Sequence, residues 1–230
     1  MSEAARAGSG LMAFWADIEP AQLLEYQRWH NCEHVTERVS IPGFLAGWRY
    51  RNGGSGPAML MMYETRDPRV LASEAYLAAL NSPTPWTRQA LTWFRNPSRA
   101  IYRLVAAAGR PAPTEAPFLL AARFNLDPAA EAAALAAYRD SLLPAAAGRE
   151  GVFRSRLYAV DEEISNIMTS ERRIYGGGPG EQRYLLLHDL RQEDLVLPPE
   201  PGAEGGAFQE AHRDLYLDRL WLEFALRAPV

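Results

Sequence analysis

Hydrophobic and polar positions divide the chain into short segments of strand-like and helix-like pattern. Apolar runs and alternations of strand length lie at residues 11–16, 44–50, 59–63, 100–107, 118–124, 152–158, 184–190 and 220–226. Helical patterns run from Pro20 to about residue 39 and start again at Pro128, because a proline at the first helical position loses no hydrogen bond. Further helices are predicted at 70–80 and 208–218. Each half of the chain therefore has the order β-α-β-β-α-β of the split ferredoxin-like unit.

The two halves repeat each other at a constant spacing. Three landmark pairs each lie 108 residues apart: Pro20 and Pro128, Gly43 and Gly151, and Tyr50 and Tyr158. A constant spacing through a strand, a helix and a second strand predicts one fold unit used twice. We expect a disordered tail at 1–10, units at 11–107 and 118–228, and a proline-rich linker at 108–117. An insertion at 161–182 in the second unit has loop composition, which predicts a cover over one mouth of a barrel or a surface loop.

Several of the predicted strands are apolar on both faces. A sheet with helices on one side only would leave its other face alternating with polar residues, so the second face must also be covered. Two sheets packed against each other, with the helices outside, meet this need. The sequence therefore predicts an α+β fold in which two tandem ferredoxin-like units form a dimeric α/β-barrel within one chain. A homodimer of such chains is left open.

The amino-acid composition limits the cellular compartments, the partners and the reaction mechanisms that are expected for this protein. A hydrophobic content of 48%, a net charge of −4 and no apolar run of membrane-spanning length predict a globular protein with neither nucleic acid nor membrane as partner. The single cysteine, Cys32, excludes an intrachain disulfide and favours a reducing cytoplasm. All 24 basic residues are arginine, so Schiff-base and pyridoxal-phosphate mechanisms that need a lysine are excluded.

The first helix differs from its counterpart at the positions that should face the sheet. In the second half a stripe of helical spacing is formed by Leu135, Tyr138 and Leu142. The equivalent positions of the first half are Gln27, His30 and His34. Polar groups on a sheet-facing stripe are costly unless they are hydrogen-bonded, so this substitution predicts a polar cleft in the first half alone.

The cleft predicts general acid–base catalysis without a cofactor. His34 is the candidate acid–base group, and Glu37 and Arg38, one turn further on, are candidates to tune it or to bind an anion. Candidate substrate-binding residues lie around it on the helix and at the strand ends: His30, Glu33, Trp29, Tyr63, Gln27 and Asp17.

Other interpretations of the helix remain open. The histidines can be core residues with satisfied hydrogen bonds, and Trp29 can serve packing alone. A metal site could use His30, His34 and Glu37, since histidines four residues apart can share an ion, although no further ligand is evident and we expect no metal. The string H-x-x-E-H matches the motif of inverted zinc peptidases, but the chain is too short for such an enzyme.

The segment WHNCEHVTERVSIPGFLAGWRY resembles the dimeric α/β-barrel superfamily, and most of all its EthD-like proteins. Those proteins show a tryptophan, then Glu-His on the first helix, then Pro-Gly-Phe leading into an aromatic and basic strand. Trp29, Glu33, His34 and Arg38 match the recurring positions, whereas His30 does not. The resemblance implies a hydrophobic, often aromatic or lactone-like ligand between the sheet and the helices.

The expected function is a lyase, isomerase or cyclase acting on a hydrophobic or aromatic molecule in catabolic or secondary metabolism. The alternative is a non-catalytic EthD-like binding or accessory protein of a degradation pathway. Because the resembling superfamily also includes monooxygenases and haem-using enzymes, fold alone does not decide between these functions.

Overall fold

The computed structural model describes residues 8–200 and 211–229, and within them eight strands close into an antiparallel barrel. The strands are β1 Gly10–Ile18, β2 Phe44–Asn52, β3 Met59–Thr65, β4 Phe94–Gly109, β5 Phe118–Leu126, β6 Val152–Val160, β7 Tyr184–Leu190 and β8 His212–Arg227. The helices are α1 Leu23–Trp29, α2 Val35–Val39, α3 Glu74–Asn81, α4 Pro85–Ala90, α5 Glu131–Ala137, α6 Leu143–Ala147, α7 Glu162–Ser165 and α8 Ser170–Tyr175. The described residues also contain three 3₁₀ turns, at Pro20–Gln22, Pro68–Ala72 and Leu91–Trp93.

The strand order around the barrel is β1-β3-β2-β8-β5-β7-β6-β4. The strands of the first half therefore lie in the order β4-β1-β3-β2, and those of the second half in the equivalent order β8-β5-β7-β6. The two sets meet where β2 pairs with β8 and where β4 pairs with β6. The expected α+β class and the barrel are thus confirmed.

Both faces of the central strands are buried, as their apolar runs predict. On β3, Leu60 and Met62 point into the barrel, where they pack with large residues of both halves such as Trp15 and Tyr158. Met61, on the opposite face, packs under the helices of the first half. Successive residues of a strand point to opposite faces, so an unbroken apolar run supplies two cores at once.

The helix predicted at 20–39 is interrupted by a π-helical turn, His30–His34, between α1 and α2. The second half has a π-helical turn at the equivalent place, Tyr138–Leu142, between α5 and α6. A π turn places more residues per turn than an α-helix, so it changes which side chains face the sheet. The interruption therefore belongs to the fold unit and is not specific to the histidines.

The helix predicted at 208–218 is wrong for the residues that can be described. Residues 212–218 form the first part of β8, and 208–210 lie outside the described residues. Asn125 and Leu126 of β5 pair with Arg213 and His212 of β8, so a helix here would leave this end of β5 without its hydrogen-bond partner.

The ends of the chain segments also differ from expectation. Gly8 and Gly10 were assigned to a tail, but the Gly8 amide donates to Oε1 of Glu64 at 2.9 Å and β1 begins at Gly10. Residues 1–7 lie outside the described residues. β4 extends to Gly109, where a φ of +84° turns the chain into the linker.

The insertion does not cover a mouth of the barrel. It crosses to the helix side of the first half, where Ile164, Ile174 and Tyr175 join the apolar cluster beneath α1 and α3. The Ser165 hydroxyl accepts a hydrogen bond from the Ile101 amide of β4 at 2.8 Å and so fixes α7 to the sheet. A segment of the second half therefore closes the space under the first helix.

Candidate functional site

A cavity of about 30 Å³ lies between the outer face of β1 and β3, the π turn, α3 and α8. Its apolar lining residues are Met12, Phe14, Met61, Leu80, Leu91 and Phe94. Its other lining residues are Trp29 and the polar side chains of His34, Arg38, Tyr63, Tyr76, Arg99, Thr169, Glu171 and Tyr175. Four of the predicted site residues therefore meet here: Trp29, His34, Arg38 and Tyr63.

His34 presents a neutral imidazole to this cavity. The residue is partly exposed, but its Nδ1 atom is buried and has no hydrogen-bond partner among the described residues. Burial lowers the pKa of His34 well below its usual 6.5, and the positive charge of Arg38 lowers it further. The ring is therefore uncharged at neutral pH, and one of its two nitrogens carries a free lone pair.

His30 is held away from the cavity in a fixed tautomer. Its Nδ1 lies 3.1 Å from Nη1 of Arg49, and because arginine can only donate, Nδ1 must be the accepting nitrogen. Burial, and next Arg49, lower the pKa of His30, so the neutral ring carries its proton on Nε2. Nε2 lies 3.4 Å from the Tyr63 hydroxyl, which then accepts from His30 and keeps its own proton free to donate.

Tyr63 lies against the cavity because the neighbouring strand has no side chain at the paired position. Gly47 of β2 pairs with Tyr63, and a Cβ atom there would lie 2.8 Å from Cε1 of the tyrosine ring. Burial raises the pKa of Tyr63 well above its usual 10, so the hydroxyl stays protonated. It can serve as a hydrogen-bond donor to a ligand.

Arg38 forms a buried ion pair with a residue of the insertion. Its Nη2 lies 2.5 Å from Oε1 of Glu171, and the two side chains are 1% and 5% exposed. Nη1 of Arg38 also lies 3.1 Å from Oε2 of Glu37, which sits at the rim. Burial raises the pKa of Glu171, and Arg38 opposes this shift.

A second arginine makes the cavity wall positive. Nη2 of Arg99 donates to the Tyr76 hydroxyl at 3.2 Å, and Arg99 is buried. Two arginines line the cavity against one carboxylate, Glu171, so the wall favours an anion. Burial raises the pKa of Tyr175 to about 12, which keeps it a neutral donor beside them.

Trp29 belongs to the wall and to the scaffold at once. Its ring centroid lies 4.4 Å from that of His34, and its Nε1 donates to Oγ1 of Thr87 at 3.0 Å. The Thr87 hydroxyl in turn donates to Oε1 of Glu33 at 2.9 Å, and so does that of Thr84 at 2.6 Å. Glu33 therefore fixes the start of α4 and does not line the cavity as predicted.

The structure also places other predicted substrate-binding residues elsewhere. Gln27 donates to Glu223 of β8 at 3.3 Å. Asp17 accepts from the amide of Ala58 at 2.9 Å and from Asn96 at 3.1 Å, at the end of β1. The Asp17 carboxylate and the Gln27 amide therefore hold neighbouring parts of the scaffold together and do not line the cavity.

Sequence analysis did not single out Tyr76, Arg99, Thr169, Glu171 and Tyr175. Two of these come from α3 and β4, and three come from the insertion of the other half. The one signal for the insertion was its apolar content, which comprises Ile164, Ile167, Met168, Ile174 and Tyr175. No spacing rule connects residues 171 and 38.

Metal binding finds no support in the described part of the chain. Within residues 8–200 and 211–229, no group of three or more His, Cys, Asp or Glu side chains could hold an ion. His30 is also occupied at both nitrogens, by Arg49 and Tyr63.

None of the described helices has the length and apolarity that crossing a bilayer would require.

Comparison with known proteins gives structural matches only. No family model and no curated protein matches the chain. A suggested monooxygenase from Fusobacterium nucleatum superposes with a TM-score of 0.66 at 9% identity, over 96% of this chain and 95% of that one. A suggested monooxygenase from Lactobacillus acidophilus gives 0.61 at 7% identity, over 96% and 97% of the two chains. An anthrone oxidase-like protein gives 0.60 at 9% identity, over 96% and 93%.

At such low identity these matches show the fold alone. The chain has the α+β closed-barrel architecture of dimeric α/β-barrel proteins, and these neighbours share it over nearly their whole length.

Proposed function

We propose that this chain is a small-molecule enzyme of the EthD-like type that moves a proton on a hydrophobic or aromatic substrate. The observation that carries the proposal is the neutral imidazole of His34, whose buried Nδ1 has no partner among the described residues. It lines a cavity whose lining combines apolar side chains with the positive charge of Arg38. A neutral imidazole beside a fixed positive charge suits a general base whose product is an anion.

The reaction follows from these charges. His34 takes a proton from an acidic C–H or O–H of the substrate. Arg38 and Arg99 stabilise the negative charge that remains on the substrate oxygen, and the Tyr63 hydroxyl can donate to it. The imidazolium then returns the proton to another substrate atom, which gives an isomerase, lyase or cyclase according to the bond that moves. Such a proton transfer needs neither cofactor nor metal.

Substrate binding requires the insertion to move. The cavity of about 30 Å³ has room for one or two water molecules, whereas small-molecule pockets measure about 300–1,000 Å³. α8 closes the cavity through the Glu171–Arg38 ion pair, and two glycines with positive φ, Gly176 and Gly177, follow it. Withdrawal of α8 would open the space between Tyr175 and the sheet.

We also propose a domain organisation for the chain. The repeated strand order and the paired π turns support two tandem ferredoxin-like units, at 11–107 and 118–228, that form a dimeric α/β-barrel in one chain. At the position equivalent to His30 the second unit has Tyr138, which stacks on Phe124 with ring centroids 5.9 Å apart. A cytoplasmic protein, with or without a homodimer, fits this proposal.

The test is proton exchange on a panel of phenols and aromatic ketones. NMR in D₂O measures deuterium incorporation into each compound with the wild-type protein and with His34→Gln. We expect the variant to lose about 10²–10⁴-fold in rate while it stays folded. Arg38→Gln should lower kcat more than it raises KM, because it removes a contact with the anion that forms only when the proton is taken.

The matched control is His188→Gln. His188 is a buried histidine whose pKa burial also lowers, but it is bonded to Ser155 at 2.8 Å and to the Pro198 carbonyl at 3.1 Å, away from the cavity. Its replacement should leave the exchange rate unchanged. Equal rates for wild type and His34→Gln on a compound that the wild type processes would refute the assignment of the base.

A non-catalytic binding protein is the second candidate. It is favoured by the ion pair of Arg38 with Glu171, which neutralises the strongest charge in the cavity before any ligand arrives. Compounds that bind the wild type and His34→Gln with equal affinity, and exchange in neither, would select this function.

A further inference from the structure

A second and larger cavity lies at one mouth of the barrel. It measures about 810 Å³ and is covered by the linker between β4 and β5. Its charged lining residues are Glu64, Arg110, Glu115, Arg154, Arg156 and Arg227. Glu64 follows Tyr63 on β3 and so points to the opposite face of the sheet. This cavity is therefore separate from the one that contains His34.

The mouth carries an excess of positive charge. Nε of Arg154 and Nη2 of Arg156 lie 2.9 and 2.8 Å from the two oxygens of Asp189. Nε of Arg227 lies 2.6 Å from Glu115. With Arg110 and Glu64 included, four arginines face three carboxylates among residues 8–200 and 211–229, which leaves one positive charge from this part of a chain whose net charge is −4.

A buried donor at the mouth has no acceptor. Arg156 is 4% exposed, and although two of its nitrogens bond to Asp189 and Tyr158, its Nε is buried and has no hydrogen-bond partner among the described residues. A buried N–H that lacks a partner is costly, and native proteins rarely leave one unsatisfied. A ligand acceptor at the mouth would satisfy it.

The floor of the mouth adds aromatic surface. Trp48 and Tyr50 line a recess of about 20 Å³ that shares Arg154, Arg156 and the linker with the larger cavity. Nε1 of Trp48 donates to Glu115 at 2.8 Å, which holds the indole in place. The recess thus places two aromatic side chains, the floor of the site, beside the arginines of the larger cavity, whose volume is that of a small-molecule site.

We propose that the barrel mouth is a second binding site, for a small aromatic monocarboxylate. The single excess positive charge matches a monoanion, since a doubly charged phosphate would leave the site negative. Guanidinium groups bind carboxylates through two parallel hydrogen bonds, and the ring of the ligand would lie on the floor. The site does not depend on the chemistry of His34.

Calorimetric titration of the full-length protein with sodium benzoate tests the site. We expect one benzoate per chain, with binding weakened by 0.5 M salt because charge attraction is screened. Benzamide, which has the same shape without the charge, should not bind. Arg156→Gln should weaken benzoate binding at least about tenfold, the factor expected when a hydrogen bond to a charged group is lost.

Because Arg156 is buried, its replacement can weaken binding by disturbing the fold. Two further variants, at exposed arginines of the same site, control for this effect. Arg110→Ala and Arg227→Gln change exposed side chains and should each weaken binding several-fold. Arg28→Ala removes an equally exposed arginine on α1 and should change nothing, and His34→Gln should bind benzoate like the wild type. Absence of benzoate binding, equal binding of benzamide, equal binding by all three mouth variants, or loss of binding in His34→Gln would overturn the proposal.

Discussion

The ion pair between Arg38 and Glu171 is the strongest link between the helix of the first half and the insertion of the second. Both side chains are almost wholly buried, and the atoms lie 2.5 Å apart. Arg38→Met would leave Glu171 buried without its nearest positive charge, and removing one partner of a buried pair typically costs about 3–5 kcal/mol. Glu171→Gln should cost less, about 1–3 kcal/mol, because Arg38 keeps Glu37 at 3.1 Å.

Urea denaturation followed by circular dichroism measures these free energies of unfolding. The double variant should be less destabilised than the sum of the single variants, because neither charge is then left alone in the interior. The control is Arg28→Ala, which breaks an exposed pair with Glu25 and should cost under about 1 kcal/mol. A loss for Arg38→Met no larger than that of Arg28→Ala would refute the reasoning.

The pH dependence of the same variant gives a second check. Burial raises the pKa of Glu171, and Arg38 opposes this, so removal of the arginine should raise that pKa further. A carboxyl whose pKa is higher in the folded than in the unfolded state is destabilising where it is charged and is relieved by protonation. The deficit of Arg38→Met should therefore be smaller at pH 5 than at pH 8. A deficit that grows as the pH falls would contradict the burial of Glu171.

Two further predictions concern stability. Trp29→Ala should lower the free energy of unfolding, measured by urea denaturation, by about 3–5 kcal/mol because it empties a buried aromatic site. Trp29→Phe should lower it by about 1–2 kcal/mol, chiefly through loss of the hydrogen bond to Thr87. A decrease under about 1 kcal/mol for the alanine variant would show that the ring is not packed. Burial lowers the pKa of His188 to about 4, and it also lowers the pKa of His30 and of His34. The unfolded chain therefore binds more protons than the folded one below pH 6.5, and the free energy of unfolding should fall as the pH drops from about 6.5 to 4. His188 alone should account for about 3 kcal/mol of this fall. His188→Asn should flatten this slope, and an unchanged slope would count against a neutral buried ring.

Much of the fold was predictable because its signals are local. A strand such as 59–63 that is apolar at every position must be covered on both faces, and this requirement led to the barrel before any contact was known. The prediction for 208–218 failed because residues 212–218 have weak periodicity of their own, and pairing with β5 decided their conformation.

The part of the candidate site that was predictable lies on the first helix and at Tyr63 of β3. A comparison of the two halves drew attention to His34, because a polar residue replaces a core residue there, and Arg38 follows one turn later. Trp29 was assigned to packing or to a pocket wall, and the structure gives it both functions since the π turn alters the faces of the helix.

The sequence by itself determined the strands, the doubly buried sheet and the helix whose polar side chains face it. Each of these rests on spacing within a few residues, where side-chain direction follows directly from backbone geometry. Tertiary structure alone decided that Glu171 and Tyr175 close the cavity over His34, and that the linker forms an arginine-lined mouth at the other face of the same strands. Those contacts join different loops or segments that lie more than a hundred residues apart. They depend on the tertiary arrangement of the whole chain, which no local sequence pattern predicts.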